Sequence, residues 1–464
     1  MTRFLRSGII LSLAAVLCGC AQQAAPARGA QAPAAPSISV VGTAPAEPGL
    51  ASDGDLWAGA AAVEITPPRR LWNTMMAGYS NPKQLPQGVH DPLYAKALIL
   101  DNGHTRMCVV TTDLLSVPIN LRESVLARLP RPTGLAPERV LICASHTHSG
   151  PGGLTSMKFA QQFLGRFSPQ AEDHVATGIA RAITAAAADL RPAKWGYASA
   201  EVSGFTHNRR GKSTTDPQVG VLRVDGADDE PIALLVNFGT HPVFLDEDNC
   251  RFSADFVGYM LAAIEQARGG VAMFANGALG DQNPDQPQQV EGAYARAEHY
   301  GKRMAQEALR IAGRARTRRQ AALASILGWL QLPAPTAAIE TRRVPVMAMR
   351  ISDILLLGVP GEPSAEIGLD IRRRARQFAF DLPMVVGLAN DEIGYILSRQ
   401  DYERGGYEAE TSFYGPTLGP LVVEAMTDLA RRIQPMAAAH SSLRLAGGES
   451  VGCCARPSRT AGTL

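Results

Sequence analysis

Leu141-Ile142-Cys143-Ala144 is followed at once by Ser145-His146-Thr147-His148-Ser149-Gly150-Pro151-Gly152-Gly153, a short apolar run set against a polar, glycine-rich one. An apolar run this short, bounded by turn residues, predicts a buried strand whose carboxyl end opens into a functional loop. The same grammar recurs along the chain. Ile232 to Phe238 leads into Gly239-Thr240-His241-Pro242, and Val271 to Ala275 leads into Asn276 and the segment Gly280-Asp281-Gln282-Asn283-Pro284. Ile354 to Val359 leads into Pro360-Gly361-Glu362, and Met384 to Leu388 into Ala389-Asn390-Asp391-Glu392-Ile393-Gly394-Tyr395. Met107 to Thr112 reads as a further strand. Gln170 to Leu190, Asp255 to Ala267, Gln289 to Ile311, Glu366 to Phe378 and Leu418 to Arg432 carry the longer apolar period of helices. This alternation predicts an α/β fold, a mixed β-sheet core flanked by helices. Polar loops at the carboxyl ends of its strands would then meet in one cleft.

The composition narrows what such a fold is for. Among 464 residues there are 45 Lys and Arg against 43 Asp and Glu, a formal charge of +2, and 46% are hydrophobic. That hydrophobicity with so little net charge excludes an intrinsically disordered chain. A nucleic acid as principal partner is excluded too, because it calls for a large basic excess. Seven cysteines over this length form no disulfide framework, and Cys108 and Cys143, inside apolar runs, read as core residues.

The two ends read differently from the body. Arg3 and Arg6 precede an apolar stretch from Gly8 to Val16, and Leu17-Cys18-Gly19-Cys20 follows. This order matches a bacterial lipoprotein signal, so residues 1–20 are expected to act as a signal with lipid on Cys20, an ordinary secretory peptide or short anchor being the alternative. The apolar run falls short of the roughly 20 residues that span a bilayer. Uncharged Ala21 fits delivery towards an outer membrane. The expected location is therefore the bacterial cell envelope, on the periplasmic side, with the membrane contacted through the lipid. Residues 21–54, rich in Ala, Pro, Gln and Gly, read as a tether. Residues 55–433 read as the catalytic body and residues 434–464 as a low-complexity tail.

His146 and His148 stand at i and i+2 and face the same way in an extended segment, so one can ligate a metal while the other contacts substrate. Histidines with a carboxylate and no thiolate suit zinc, and a catalytic zinc keeps one position open for water. His-x-His alone is a weak signal. Asp113 is either a carboxylate supporting a ligand or a strand-end cap, and Asn283-Pro284 on its own is also a plain turn.

The motifs together carry more than their spacing. His146 through Gly153, Ala61-Ala62-Val63-Glu64-Ile65-Thr66-Pro67-Pro68, Asp91 through Ala97, His207-Asn208-Arg209, Gly239 to Pro242 and Ser253-Ala254-Asp255 resemble, in collinear order, the neutral ceramidase family. Pro360-Gly361-Glu362 and the run from Gly387 through Tyr395 and Tyr407-Glu408 to Tyr414-Gly415-Pro416 extend the resemblance over the whole body. It implies a zinc amidase that cleaves an N-acyl bond, in the ceramidases that of ceramide. It further implies one zinc ion per chain on His146, His241, Glu362 and Tyr395, with His148 and Arg209 holding the substrate and polarising its carbonyl. A buried structural phenol is the other reading of Tyr395.

Two departures from the family pattern stand out. The family's active-site serine lies in Gly-Asp-x-Ser-Pro-Asn, and Asn283 occupies that position here. The family also commonly carries a C-terminal β-sandwich, whereas residues 434–464 read as a tail. Zinc-activated water can attack a carbonyl without a side-chain nucleophile. Asn283 could then donate to the oxyanion, and Asp281 orient a ligand histidine or take a proton. The expected function is a zinc-dependent hydrolase acting on the amide bond of a small amphiphilic N-acyl substrate. An ester or lactone hydrolase on the same zinc, or a non-catalytic zinc- or lipid-binding envelope lipoprotein, are the alternatives.

Overall fold

The computed structural model describes residues 38–41, 53–79, 85–337, 339–340 and 342–435. Two sheets lie face to face, and helices cover both outer faces. The larger sheet runs edge to edge through Val271–Asn276, Pro231–Phe238, Gln218–Gly226, Arg191–Glu201, Trp57–Glu64, Tyr94–Asp101, Arg106–Thr112 and Val140–Ala144. The smaller runs through Ile38–Val41, Gln320–Gln331, Arg343–Ile351, Ile354–Gly358 and Leu382–Val386, with Asp53–Asp55 also paired to Gln320–Gln331.

Side chains on a strand alternate between faces, and here that alternation builds the layers. Met107 and Val109 point between the sheets and meet Leu323, Met347, Leu356 and Met384 of the smaller one in one apolar cluster. Cys108 and Val110 point the other way, into a cluster with the helices Ile119–Ala127 and Pro169–Ala188. The other half of the same sheet is covered by Phe256–Arg268 and Ala293–Ala312. Ala365–Ala375 and Leu418–Arg432 cover the smaller sheet, where Leu355 and Leu357 face them. The Ala-rich helix Pro169–Ala188 starts on Ser168, whose hydroxyl accepts from Ala171 N, and Pro169 suits the first helical position. It packs so close that a Cβ on Gly59 would sit 2.3 Å from the Ala186 carbonyl oxygen.

Three strand pairs in the two sheets are parallel: Arg106–Thr112 with Val140–Ala144, Pro231–Phe238 with Val271–Asn276, and Ile354–Gly358 with Leu382–Val386. These are the strands that the apolar runs predicted, and each pair lies at one end of its sheet. The antiparallel strands between them escape the sequence reading. Trp57–Glu64 has the sequence WAGAAAVE, and alanine is a poor strand signal. The last predicted strand is shifted, from Met384–Leu388 to Leu382–Val386. Leu388 is already in the left-handed region at φ 53°, and Gly387 N has turned away to bond Asn276 O. The helix expected from Gln289 begins at Ala293, and that expected to Phe378 ends at Ala375 before a 3-10 turn.

The tether expected over residues 21–54 needs correction within the described residues. Ile38–Val41 pairs antiparallel with Leu327 to Leu330, and Asp53–Asp55 with Gln320 to Ala322. An Ile-Ser-Val-Val run is good strand material, and the edge of Gln320–Gln331 offers it unpaired main-chain groups. Cys20, the signal residues 1–20 and the tail beyond residue 435 lie outside the described residues. Among the described residues no helix is long and apolar enough to cross a membrane.

Candidate metal centre and substrate cavity

Each parallel pair delivers part of the site. After Val140–Ala144 the chain continues alongside its neighbour, Ser145 N bonding Thr112 O and His146 N bonding Leu114 O. His146 then takes φ 72°, a left-handed conformation rare for a residue with a Cβ. His241 follows Pro231–Phe238, its N bonded to Gln282 O. Glu362 follows Ile354–Gly358 and pairs in parallel register with Tyr395 in a two-residue ladder, so the carboxylate and the phenol are neighbours. Asn276, fully buried, fastens three of these loops. Its Nδ2 donates to Ser145 O (2.8 Å) and Thr240 O (2.9 Å), and its Oδ1 accepts from Thr240 N and Gly277 N.

The protonation of the two buried histidines follows from their contacts. His146 Nδ1 lies 2.8 Å from Leu115 O, and His241 Nδ1 lies 2.9 Å from Leu279 O and 3.1 Å from Gln282 O. A carbonyl oxygen only accepts, so in both neutral rings Nδ1 carries the proton and Nε2 presents a lone pair. Both Nε2 atoms face Glu362 Oε2, at 3.4 Å and 3.2 Å, and that buried oxygen has no hydrogen-bond donor among the described residues. Three acceptors turned on one another repel unless a cation lies among them, so the donor set fits a divalent ion, with its rings oriented by main-chain carbonyls. Burial alone raises the Glu362 carboxyl, and only a positive charge brought onto the facing imidazoles, by a proton in place of a metal ion, holds it well below the usual range. Burial and the charge on Arg209 push His241 down to about 4.

His148 completes a group of three rings whose donor atoms lie within 4.8 Å of one another. Neither of its nitrogens has a partner among the described residues, and burial together with His146 and His241 keeps it neutral. The edge of Tyr79 packs on its ring at 4.9 Å, and the chain passes so close that only a glycine, Gly78 at φ 118°, fits against it.

Arg209 follows Thr206–Asn208, a short strand paired with Gln282–Pro284 that sets His207 opposite Asn283. Its Nε donates to Glu408 (2.7 Å), and its Nη2 to Gly280 O (3.0 Å) and the Tyr395 hydroxyl (2.9 Å). Among the described residues, Nη1 has only two long contacts, His241 Nε2 and Asn283 Oδ1, both at 3.4 Å. Burial and Glu362 push the Tyr395 hydroxyl well above its ordinary value, leaving a phenol that accepts from Arg209.

The sequence-derived residues therefore converge with one exception. Asp281, expected to orient a histidine or move a proton, has its carboxylate fully engaged elsewhere: Oδ1 accepts from Gln282 Nε2 and from Ala365 N at a helix start, and Oδ2 from Asn208 Nδ2. The main chain orients the histidines in its place. Asp113 bonds Tyr94 N through Oδ2, so it is the strand-end cap, and Cys108 and Cys143 are buried free thiols. The sequence reading gave no role to Glu408, which pairs with both Arg209 and Arg210, nor to Arg342, Glu392 and the aromatic residues. Tyr407 and Glu408 stood within the family-like run; Arg342 had no signal at all.

Arg342, Glu392 and the aromatic residues line a cavity of ≈ 190 Å³ that ends on His146, His148, Glu362 and Tyr395. Met157, Phe159, Phe163, Leu164, Ile393 and Phe413 form its apolar wall, with Phe159 packed edge-on to Phe163 and Phe413 at 5.7 and 5.0 Å. Tyr407 stands at the opening, 62% exposed.

A model of the neutral/alkaline non-lysosomal ceramidase N-terminal domain matches residues 57–299, just over half of the chain. The chain is 25% identical over 461 residues to the neutral ceramidase of Pseudomonas aeruginosa, covering 76% of this chain and 69% of that protein. It is 25% identical over 240 residues to the neutral ceramidase of Mycobacterium tuberculosis, where the match covers 45% of this chain and 38% of the relative. The crystal structure of the P. aeruginosa neutral ceramidase superimposes with a TM-score of 0.75 at 23% identity, over 83% of this chain and 76% of that one. A structure described as a ceramidase complexed with C2 gives 0.74 at 22% identity, over 83% and 77%. On the family match, and with a fold that agrees, this chain belongs to the neutral/alkaline non-lysosomal ceramidase family.

Proposed function

We propose that this protein is a zinc-dependent hydrolase that cleaves the amide bond of an N-acylated, lipid-like substrate. His146, His241, Glu362 and Tyr395 would hold the ion. The observation that carries the reading is the meeting of two imidazole lone pairs and the Glu362 oxygen at the end of an apolar cavity. Bound there, zinc supplies Lewis-acid polarisation of a carbonyl and a water whose pKa falls to about 7.

The chain's own residues supply the rest. Arg209, a permanent cation, is held at Nε and Nη2 and keeps Nη1 as its loosely bonded end. That end binds the amide oxygen and stabilises the charge that develops on it. Asn283 steadies Nη1 through Oδ1, so its contribution to the oxyanion runs partly through Arg209. His148, with both ring nitrogens unpartnered, hydrogen-bonds the substrate. The aromatic wall takes the acyl chain and excludes water from the reacting amide. Position 283 offers an amide in place of a hydroxyl, so no acyl-enzyme forms at that position.

Zinc analysis of the purified protein tests this, together with a panel of ceramides, N-acyl amino acids and simple esters with and without chelator. Amide hydrolysis that chelator abolishes is expected. Hydrolysis confined to esters, or indifferent to chelator, would overturn it, and so would an acyl group found by mass spectrometry on Asn283.

We further propose that the enzyme is held at the bacterial cell envelope by lipid on Cys20. The support is the order of Arg3 and Arg6, the apolar stretch and Leu17-Cys18-Gly19-Cys20. A clickable fatty acid should label the wild type and spare Cys20→Ala; equal labelling of both excludes the anchor.

A further inference from the structure

Beside the metal centre, one carboxylate oxygen is buried with nothing to bind. Glu392 Oε1 accepts from Gly394 N at 2.7 Å, which fixes the side chain. Its Oε2 is buried without a hydrogen-bond partner among the described residues. The nearby guanidinium does not serve it: Arg342 pairs with the Asp391 carboxylate and donates only to the main-chain oxygen of Glu392, at 3.0 Å. Glu392 also lines a second, smaller cavity of ≈ 40 Å³, whose other walls include Ser116, Asn120, Thr155 and Ser156. Apolar residues such as Ile119, Met157 and Leu164 complete this side pocket, so its polar groups lie on one part of a largely apolar wall, and Glu392 lines both cavities.

A buried carboxyl oxygen is tolerated when a ligand completes it. We propose that Glu392 binds a protonated amine on the non-acyl half of the substrate, so that the preferred substrates are N-acylated amines bearing a second, cationic amine. This rests on the amidase reading above. An ammonium group answers two needs at once, the missing donor and the missing counter-charge, and a neutral hydroxyl answers only the first. The hydroxyl and carbonyl oxygens of the side pocket can accept the remaining ammonium hydrogens while the acyl chain lies along the aromatic wall.

The test uses the zinc-loaded full chain and a matched pair, N-dodecanoyl-1,3-diaminopropane and N-dodecanoyl-propylamine. The cationic amide should be favoured in kcat/KM by about tenfold or more, chiefly through KM. Glu392→Gln should bring the ratio close to one. A binding arm needs no turnover: decylamine should bind the wild type about tenfold more tightly than decanol, and Glu392→Gln should remove that difference. Equal binding of the two by the wild type, or a preference that survives Glu392→Gln, overturns the proposal. If neither amide is cleaved while the amine preference is present and depends on Glu392, the amidase reading fails and the cation site stands.

Discussion

At the metal centre, the floor on which the cavity ends through His146 and Glu362, those two residues, His241 and Arg209 arrive from separate loops, and hydrogen bonds to main-chain or charged partners fix both histidine rings and the guanidinium. Along the wall, Phe159, Phe163 and Phe413 meet one another as rings and are set by packing alone. Directional bonds hold the floor to tenths of an ångström, as ligating an ion requires. Contacts without direction hold the wall, and an alkyl chain asks only for a low-polarity surface of suitable width. The difference separates chemistry from selectivity: changes to the floor should act on turnover, and changes to the wall on the preference for chain length.

The largest effect should come from the floor. Glu362→Gln removes the negative partner of both histidines, and turnover should fall by about 1,000-fold or more as bound zinc is lost, read by elemental analysis beside activity. Full zinc occupancy in a His146→Ala/His241→Ala double variant would break the assignment outright.

The floor should also respond to acid. In chelated protein His241 is held at about 4, below the roughly 6.5 of an unfolded histidine, so the unfolded chain binds more protons and stability rises with pH. That contribution, of order 3 kcal/mol, is complete above about pH 6.5 and is lost as pH falls towards 4. Denaturation of chelated protein across pH 4 to 7 measures it. A flat profile would contradict the buried neutral ring.

The wall should give a smaller effect of another kind. Phe159→Ala removes a ring that packs on both Phe163 and Phe413, so KM for a long-chain substrate should rise about tenfold with kcat nearly unchanged, and a two-carbon acyl substrate should hardly notice. A large loss of kcat would mean that floor and wall are not separable. The smallest effect on turnover is expected at Asp281. Asp281→Asn faces an amide against the donors of Gln282 and Asn208, which should cost about 1–3 kcal/mol of stability in chemical denaturation. Turnover at 25 °C should change by about threefold or less. A hundredfold loss with the fold intact would restore the catalytic role that the hydrogen bonds deny it.

The same division explains what could be read from the sequence. The loops that carry His146, His241, Glu362 and Tyr395 were visible because each follows a short apolar run of a parallel strand, whereas the choice of these four residues as ligands came from the family resemblance. The strands between those loops were not visible. Ala-rich Trp57–Glu64 and the twelve-residue Gln320–Gln331 carry weak period-two patterns because one sheet face meets helices and the other meets the second sheet, so both faces are apolar. Phe159, Phe163 and Phe413 carried no signal, since an aromatic residue that lines a cavity has the same sequence signature as one that fills a core. Asp281 misled for the opposite reason. Beside Asn283 in sequence, its carboxylate turns towards Asn208 and the helix start at Ala365, a direction that adjacency does not encode.

Asn276 leaves a consequence for how such a site changes over time. Its amide is saturated by the backbone of the loops that carry His146 and His241 and of its own, and its carbonyl receives Gly387 N from a fourth segment. The positions of the two ligand histidines are thus stored in main chain rather than in other side chains of the site. A residue such as the one at position 283 can change from hydroxyl to amide without dragging its neighbours out of place, because nothing in that knot reads its identity. The scaffold behaves as a chassis: it lets the chemistry on its rim be exchanged one side chain at a time, and each exchange is judged on reactivity before it is judged on folding.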